Sequence, residues 1–403
     1  MSAPSSSLFE TALPAFSSRA SSASSSPIRD LLDQAKQPGV ISLAGGLPDP
    51  TLFPREQLAE IARRAINSGD VLQYGTSQGE LATRQALSSL FNDVDLSADQ
   101  VAHQMTVTTG AQQSIDLLAR VLLDPGDVVV VGNPEYLGAL QIFRSYDAQL
   151  APISIDADGL NTNELERALV SGLRPKACYL VKNFHNPTGS SLSPDRAFHL
   201  AELAVRYNFV IIDDDPYREL YDATPPSTIS FFPTERTASL RSTSKTLSPG
   251  LRIGAMAAPG WLLEPVIIAK QSSDLHTSTL SQAIVTEALG APWYRGHLEN
   301  VRTRSAQKRD TLITALTDAF GERAEFSIPE GGMFLWARIA GCEDTALWLR
   351  RALEVGVCFV PGATFSTNPP GEDNPLSGHV RLSYATGSPA ELVEGVRRLA
   401  RSV

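Results

Sequence analysis

Ser242-Thr-Ser-Lys245-Thr-Leu-Ser-Pro-Gly-Leu-Arg252 sets a lysine among hydroxyls, followed by a Pro-Gly turn and an arginine. A lysine does covalent work when its ammonium is destabilised enough to leave a free amine near neutral pH. Two serines and an arginine beside such an amine suit an anionic group such as a phosphate. Taken alone, the stretch also fits an ordinary surface lysine in a serine-rich turn. Its meaning depends on what the fold places around it.

Working outward, the chain alternates strand and helix. Gln104–Thr108 is a β-branched run, and Gly110-Ala111-Gln112-Gln113 opens a helix that reaches Leu122. Val128–Val131, Cys178–Val181 and Phe209–Ile212 are short apolar runs, interleaved with helical stretches at Leu137–Ser145 and Pro194–Tyr207. Short apolar strands separated by helices predict an α/β protein with a mostly parallel sheet covered on both faces. Ligands of such sheets bind beyond the carboxyl ends of the strands. Gly110, Asn133-Pro-Glu-Tyr136, Asn186 and Asp214 all fall there.

Ile253–Ala257 reads as a further strand and Leu263–Leu289 as one long helical stretch. Trp293–Phe320 carries a charged amphipathic helix that bridges two domains, and Glu325–Val403 reads as a smaller α+β layer. Before the sheet, Ile28–Leu32 starts a short amphipathic helix with Pro27 in its first turn. Ile41–Pro50 is a short strand entering a tight turn, and Glu56–Asn67 and Glu80–Phe91 have helical periodicity.

With 403 residues the chain exceeds one ordinary core, so two unequal domains are expected. A net charge of -10 argues against general binding to nucleic acid or anionic membranes. No apolar run is long enough to span a bilayer. Cys178, Cys342 and Cys358 form neither a CxxC pair nor a disulfide framework, which fits a reducing cytoplasm, and no ligand cluster suggests a metal. Residues 1–26 are rich in Ser and Ala, lack the pattern of a signal peptide, and read as a flexible tail.

Each remaining motif has a structural and a chemical reading. Gly110 before a helix is common, yet the free N–H groups at a helix start favour an anion. Asp214 could cap a helix, or it could pair with a protonated pyridine nitrogen and make the ring a better electron sink. Asn186-Pro-Thr-Gly189 is by default a turn, though Asn186 and Tyr217 could both bond a phenolic ring oxygen. Tyr136 could stack on a ring or simply be buried. Tyr74, before Gly75, is a packed loop residue or a ligand contact. Arg381 lies on an alternating strand; facing inward, it would need a carboxylate. A ligand bearing both an aldehyde and a phosphate unites these readings, and pyridoxal 5′-phosphate is such a ligand.

The sequence resembles the fold-type I pyridoxal-phosphate aminotransferases, in the branch containing 2-aminoadipate and kynurenine aminotransferases. The resemblance runs from Pro27 to the C-terminus. It rests on the ordered set Pro-Ile-Arg29, Ser42-Leu-Ala-Gly-Gly-Leu-Pro48, Leu72-Gln-Tyr74, Gly110-Ala-Gln-Gln113 and Asn186-Pro-Thr-Gly189. Asp214-Asp-Pro-Tyr217, Ser244–Arg252, Asp274-Leu-His-Thr277, Gly331-Gly-Met-Phe334 and Val380-Arg-Leu-Ser-Tyr384 complete it.

The resemblance implies that Lys245 bonds covalently to the cofactor aldehyde and shuttles the proton between substrate Cα and cofactor C4′. It implies Asp214 on the ring nitrogen, Asn186 and Tyr217 on the ring oxygen, and Tyr136 on the ring face. Gly110, the Ala111 amide, Gln112, Ser242, Ser244 and Arg252 are implied at the phosphate. Arg381, Asn186 and the Gly46 backbone would hold the substrate carboxylate, and Arg29 the substrate side chain. Tyr74 would reach into a partner's site, which implies a homodimer.

Ala111 stands where relatives often have Ser, and the motif for a dicarboxylate-binding arginine is absent near Asp274–His276, which makes aspartate a poor candidate donor. The expected layout is a tail (1–26), an N-terminal lid segment (27–50), a large cofactor domain (51–300) and a small domain (301–403). The expected activity moves an amino group from 2-aminoadipate, an aromatic or an aliphatic amino acid to a 2-oxo acid such as 2-oxoglutarate. A lyase, cyclase or oxidase on the same fold is the alternative. A DNA-binding regulator is disfavoured, because only about 26 residues precede the resemblance and the chain is acidic.

Overall fold

The computed structural model describes residues 16–17, 31, 35, 37–94, 96–224, 226–227, 231–368 and 374–403. Its first strand is β1 (Ile41–Ser42). A large sheet follows, made from β2 (Met105–Thr108), β3 (Val128–Asn133), β4 (Gln149–Asp156), β5 (Gly159–Leu160), β6 (Ala177–Val181), β7 (Val210–Asp214), β8 (Thr237–Ser242) and β9 (Gly254–Ala257). Among the described residues its order is β2-β9-β8-β7-β6-β3-β4-β5. The pairs β4–β3, β3–β6, β6–β7 and β7–β8 are parallel, while β9 runs antiparallel to both β8 and β2.

The apolar runs follow from burial on both faces. Val129, Val131, Tyr179 and Ile212 pack under Ile115, Leu118, Leu140 and Phe143 from the helices Ala111–Leu122 and Leu137–Ser145. The alternate residues Val130, Cys178, Leu180 and Ile211 pack under Leu165, Leu200 and Leu203 from Thr162–Val170 and Pro194–Tyr207. The latter helix begins with Pro194 and ends at Asn208, whose φ of +58° closes it in the left-handed region. The parallel strands thus bring Asn133, Val181, Asp214 and Ser242 to one edge.

A second, four-stranded sheet contains β10 (Ala324–Phe326), β11 (Phe334–Ile339), β13 (Val360–Pro361) and β14 (His379–Ser383), in the order β10-β11-β14-β13. The short β12 (Val357–Cys358) pairs in parallel with β1. Leu43 and Ala44 are fully buried in the core of this smaller unit, and the Ser383 amide donates to the Leu43 carbonyl at 2.7 Å. The helix Pro292–Phe320 packs Val301 in the large-sheet core and Leu312, Leu316 and Phe320 in the smaller one.

Several local expectations need correction. The stretch read as one helix over Leu263–Leu289 is two helices, Gly260–Ser273 and Thr279–Gly290. Asp274 accepts from Lys270 Nζ at 2.7 Å, Gln113 Nε2 at 2.6 Å and Thr109 Oγ1 at 3.1 Å, which ties the break to the loop before the helix at Ala111. Leu275 turns at φ +64°, and Ser278 caps the second helix through the Ser281 amide. The helix expected over Glu80–Phe91 spans Leu81–Ser88. The strand read over Phe209–Ile212 and ending in the Asp213–Asp215 run spans Val210–Asp214. Neither β4 nor β8 shows in the hydrophobic pattern, because β4 carries exposed positions and β8 mixes Thr, Ser and Arg with apolar residues.

An ionic knot ties the strand ends together. Lys182, just past β6, donates to Asp93 Oδ2 at 2.6 Å, and Arg241 of β8 donates to both Asp93 oxygens at 2.9 and 3.0 Å. Arg218 Nη1 lies 3.3 Å from Asp93 and 3.5 Å from Asp215, and Arg241 lies 3.2 Å from Asp213. Among the described residues three buried carboxylates thus meet three buried cations, with Asp93 touching every cation. Removing one partner of such a buried set typically costs about 3–5 kcal/mol, because it strands the opposing charge. Asp93→Ala is therefore expected to lower the unfolding free energy by about 3–5 kcal/mol in a urea titration; a change below about 1 kcal/mol would contradict this account of the knot.

Candidate active site

β2 runs into Thr109 and Gly110, and the helix Ala111–Leu122 starts at once. Gly110 has φ +80°, and a Cβ there would stand 2.5 Å from Arg252 Nη2. Only glycine lets the guanidinium lie against this turn. No side chain caps the helix start, so its first N–H groups can serve an anion. Ser242 pairs across the ladder with Gly254, where a Cβ would meet the Gly110 backbone at 2.9 Å. The hydroxyls therefore adjoin the helix start. Ser242 Oγ bonds Ser244 Oγ at 2.9 Å, and Arg252 Nη2 donates to the Thr109 carbonyl at 3.0 Å.

Lys245 follows Ser244. Its Nζ donates to the Gly46 carbonyl at 3.0 Å and stands 5.9 Å from the centre of the Tyr217 ring. Burial, then the Arg381 and Arg252 cations, lowers its pKa to about 8, against the pull of Asp214. Two cations disfavour a third in a water-poor setting. A useful fraction of neutral amine is therefore present near neutral pH.

Asp214 ends β7 and is buried. Tyr179 donates to its Oδ2 at 2.8 Å, and its Oδ1 has no partner among the described residues. Burial lifts its pKa to about 7, opposed by the Tyr179 bond and reinforced by Asp215 and Asp213. Its strand neighbours face the ionic knot on the other side of the sheet; Arg241 there eases the Asp214 charge only through space, with no ion pair among the described residues.

Tyr217 is buried, which pushes its phenol above the usual range, and it shares a side-chain hydrogen bond with Asn186. Asn186 Oδ1 accepts from Arg381 Nη1 at 2.7 Å, and Arg381 Nη2 donates to the Ala44 carbonyl at 2.5 Å. The Arg381 guanidinium lies 4.2 Å from the centre of the Phe334 ring and 4.9 Å from that of Phe365. Its Nε has no partner, and among the described residues no carboxylate pairs with it. Burial lowers its pKa to about 10. Tyr136 is half-buried and donates to Gln112 Oε1 at 2.9 Å.

The structure thus gathers Gly110, Ala111, Gln112, Tyr136, Asn186, Asp214, Tyr217, Ser242, Ser244, Lys245, Arg252, Gly46 and Arg381 around one edge of the large sheet. Tyr74 is not among them: it is 78% exposed and meets His276 edge-on at 5.7 Å. Arg29 lies outside the described residues. The Gly46 carbonyl meets the Lys245 amine, while Ala44 supplies the backbone oxygen at Arg381. Sequence reasoning missed Tyr179, the Phe334–Phe365 sandwich and the Ala44 carbonyl. A phenol inside the otherwise apolar Ala177–Val181 run was the available signal for Tyr179.

These residues fit pyridoxal phosphate on three counts: an amine with a depressed pKa, a buried carboxylate oxygen lacking a partner, and an uncapped helix start beside an arginine and two serines. A family model for aminotransferases of class I and II matches residues 39–399. The chain is 36% identical over 397 residues to aromatic-amino-acid aminotransferase 1 of Thermococcus litoralis, covering 96% of this chain and 94% of the relative. It is also 36% identical to the 2-aminoadipate transaminase of Thermus thermophilus, covering 96% of each. The crystal structure of a multiple substrate aminotransferase from Thermococcus profundus superposes with a TM-score of 0.89 at 36% identity, covering 96% of this chain and 97% of that one.

The chain belongs to the class I and II aminotransferases. It is a fold-type I enzyme that depends on pyridoxal phosphate and acts on amino and 2-oxo acids. No helix among the described residues is long and apolar enough to cross a membrane.

The Lys245 environment sets a pH dependence. Only the neutral amine attacks a carbonyl, and its fraction rises as pH rises through the pKa. Covalent capture of pyridoxal phosphate by the cofactor-free enzyme should accelerate with pH and level off with a midpoint at about 8. Arg381→Met removes a nearby cation and should move that midpoint upward. A wild-type midpoint near the ordinary lysine value of 10.5 would contradict the assignment.

Proposed function

We propose that the enzyme transfers the amino group of a 2-aminoadipate-like, aromatic or aliphatic L-amino acid to a 2-oxo acid such as 2-oxoglutarate, in two half-reactions. The observation that carries the substrate class is Arg381, a buried guanidinium set between two aromatic rings with no carboxylate partner in the described chain. Such a group calls for an α-carboxylate held by paired N–H bonds. The aminoadipate and aromatic aminotransferase relatives support the range of donors and favour transamination over elimination or oxidation.

In this reading Asp214 faces the cofactor ring nitrogen, Asn186 and Tyr217 the ring oxygen, and Tyr136 the ring face. The Ala111 amide, Gln112, Ser242, Ser244 and Arg252 hold the phosphate, and Gly110 leaves room for it. Bound pyridoxal phosphate supplies the carbonyl and the electron sink. Lys245 Nζ takes the proton from the substrate Cα, and Arg381 with Asn186 holds the carboxylate so that the Cα–H bond faces that amine. Arg29 serves the donor side chain.

We further infer a homodimer in which Tyr74 completes the neighbouring site. Ile66, Leu72, Tyr74 and Leu81 are exposed, and such a contact would take large apolar side chains of this kind out of water. Three free, buried cysteines and the net charge of -10 suit a cytoplasmic protein.

Mixing the holoenzyme with a single amino acid, without any oxo acid, should convert its absorption to that of the pyridoxamine form. Lys245→Ala should abolish that conversion, and Arg381→Ala should lower kcat/KM for the donor by at least about 30-fold, the equivalent of ~2 kcal/mol. Release of ammonia in place of a stoichiometric half-reaction would overturn the proposal. A separate check is sedimentation equilibrium: a monomer at micromolar concentration would remove the shared-site role of Tyr74.

A further inference from the structure

β6 and β7 run parallel, with Tyr179 opposite Ile212 and Val181 opposite Asp214. Side chains alternate along each strand, so Tyr179, Ile212 and Asp214 share one face while Asp213 and Asp215 take the other. The burial pattern agrees, since Tyr179 and Ile212 belong to one core and Leu180 and Ile211 to the other. The three consecutive carboxylates therefore meet two environments. Asp213 and Asp215 are served by Arg241, Arg218 and Asn183. Asp214 receives only the Tyr179 hydroxyl among the described residues, at 2.8 Å.

We propose that Tyr179 is a positioning residue for Asp214. Its hydroxyl fixes the carboxylate through Oδ2, leaves Oδ1 open to the cofactor ring nitrogen, and does so without supplying a competing charge. The inference rests on the aminotransferase reading of the site. A phenol suits the task because it is a neutral donor. A lysine or arginine here would neutralise the carboxylate from within the chain, as happens to Asp213. Tyr179 is fully buried, and its ring meets Phe143 edge-on at 5.7 Å, which limits the directions its hydroxyl can take. Burial and the nearby carboxylates of Asp214 and Glu135 hold the phenol well above its usual pKa, so the proton stays on the tyrosine. Without that bond the Asp214 carboxylate would have no hydrogen-bond donor among the described residues, and a buried carboxylate so placed tends toward its neutral form.

Tyr179→Phe removes the hydroxyl alone. It should weaken pyridoxal phosphate binding by about 10-fold or more. At saturating cofactor it should lower kcat by a similar factor while the donor KM changes by less than about 2-fold, because Arg381 and Asn186 are untouched. With 15N-labelled cofactor, the ring-nitrogen resonance should move toward that of an unprotonated pyridine. In an Asp214→Asn background the same substitution should add less than about 2-fold, since its effect passes through the carboxylate. A merely structural role would instead weaken both backgrounds equally.

A urea midpoint reports whether Tyr179→Phe remains folded, and Tyr179→Met is a second donor-free variant of adaptable shape. If either folded variant matches wild type in cofactor affinity, kcat and ring-nitrogen resonance, the proposal is overturned. If Asp214→Asn itself matches wild type, the assignment of Asp214 to the ring nitrogen fails first, so the two failures are distinguishable.

Discussion

One buried carboxylate without an ion-pair partner among the described residues governs the arrangement. Three acids stand in a row at the end of β7, all removed from water. A chain that could not stabilise so much negative charge would protonate it or fail to bury it. The knot around Asp93 gives the outer two a cation each, and the middle one has none within ion-pair distance among the described residues. Because the knot joins residues from the ends of β6, β7 and β8, the same ion pairs that make this burial tolerable also hold the strand ends that carry Asn186, Asp214 and Lys245. Support and function are separated by the pleat of the sheet: one face balances charge and the other retains it.

The cationic side shows a related division. Lys245 and Arg381 are both kept from water; burial lowers the pKa of each, and the Arg381 cation further destabilises the Lys245 ammonium. For the lysine this yields a reactive amine. For the arginine, whose intrinsic pKa is so high, even a downward shift leaves the group charged. Two aromatic faces compensate part of its lost hydration. The result is one cation that gives up its proton near neutral pH and one that keeps it.

Much of this was legible beforehand because the informative motifs sit where a parallel sheet must place them. Apolar runs at β3, β6 and β7, and the helix Pro194–Tyr207, follow from local pattern alone. Gly110, Asn186, Asp214 and Lys245 then fall at strand ends by topology. What escaped was decided by contacts distant in sequence. The break at Asp274 depends on Lys270, Gln113 and Thr109, and no periodicity announces it. The polar character of β8 conceals a central strand whose arginine is paired internally. Tyr179 is inconspicuous because its partner lies on a neighbouring strand, 35 positions away.

The pairing of β1 with β12 has a consequence for biosynthesis. Residues 41–44 emerge early from the ribosome, yet their hydrogen-bonding partners include Cys358, Arg381 and Ser383. The large sheet can assemble while this opening segment still waits for its neighbours, and long-range closure of this kind is slow. The Ala44 carbonyl that orients Arg381 reaches its place only when the last strand arrives. The surroundings of Arg381 are therefore completed only after every strand of the large sheet has been synthesised.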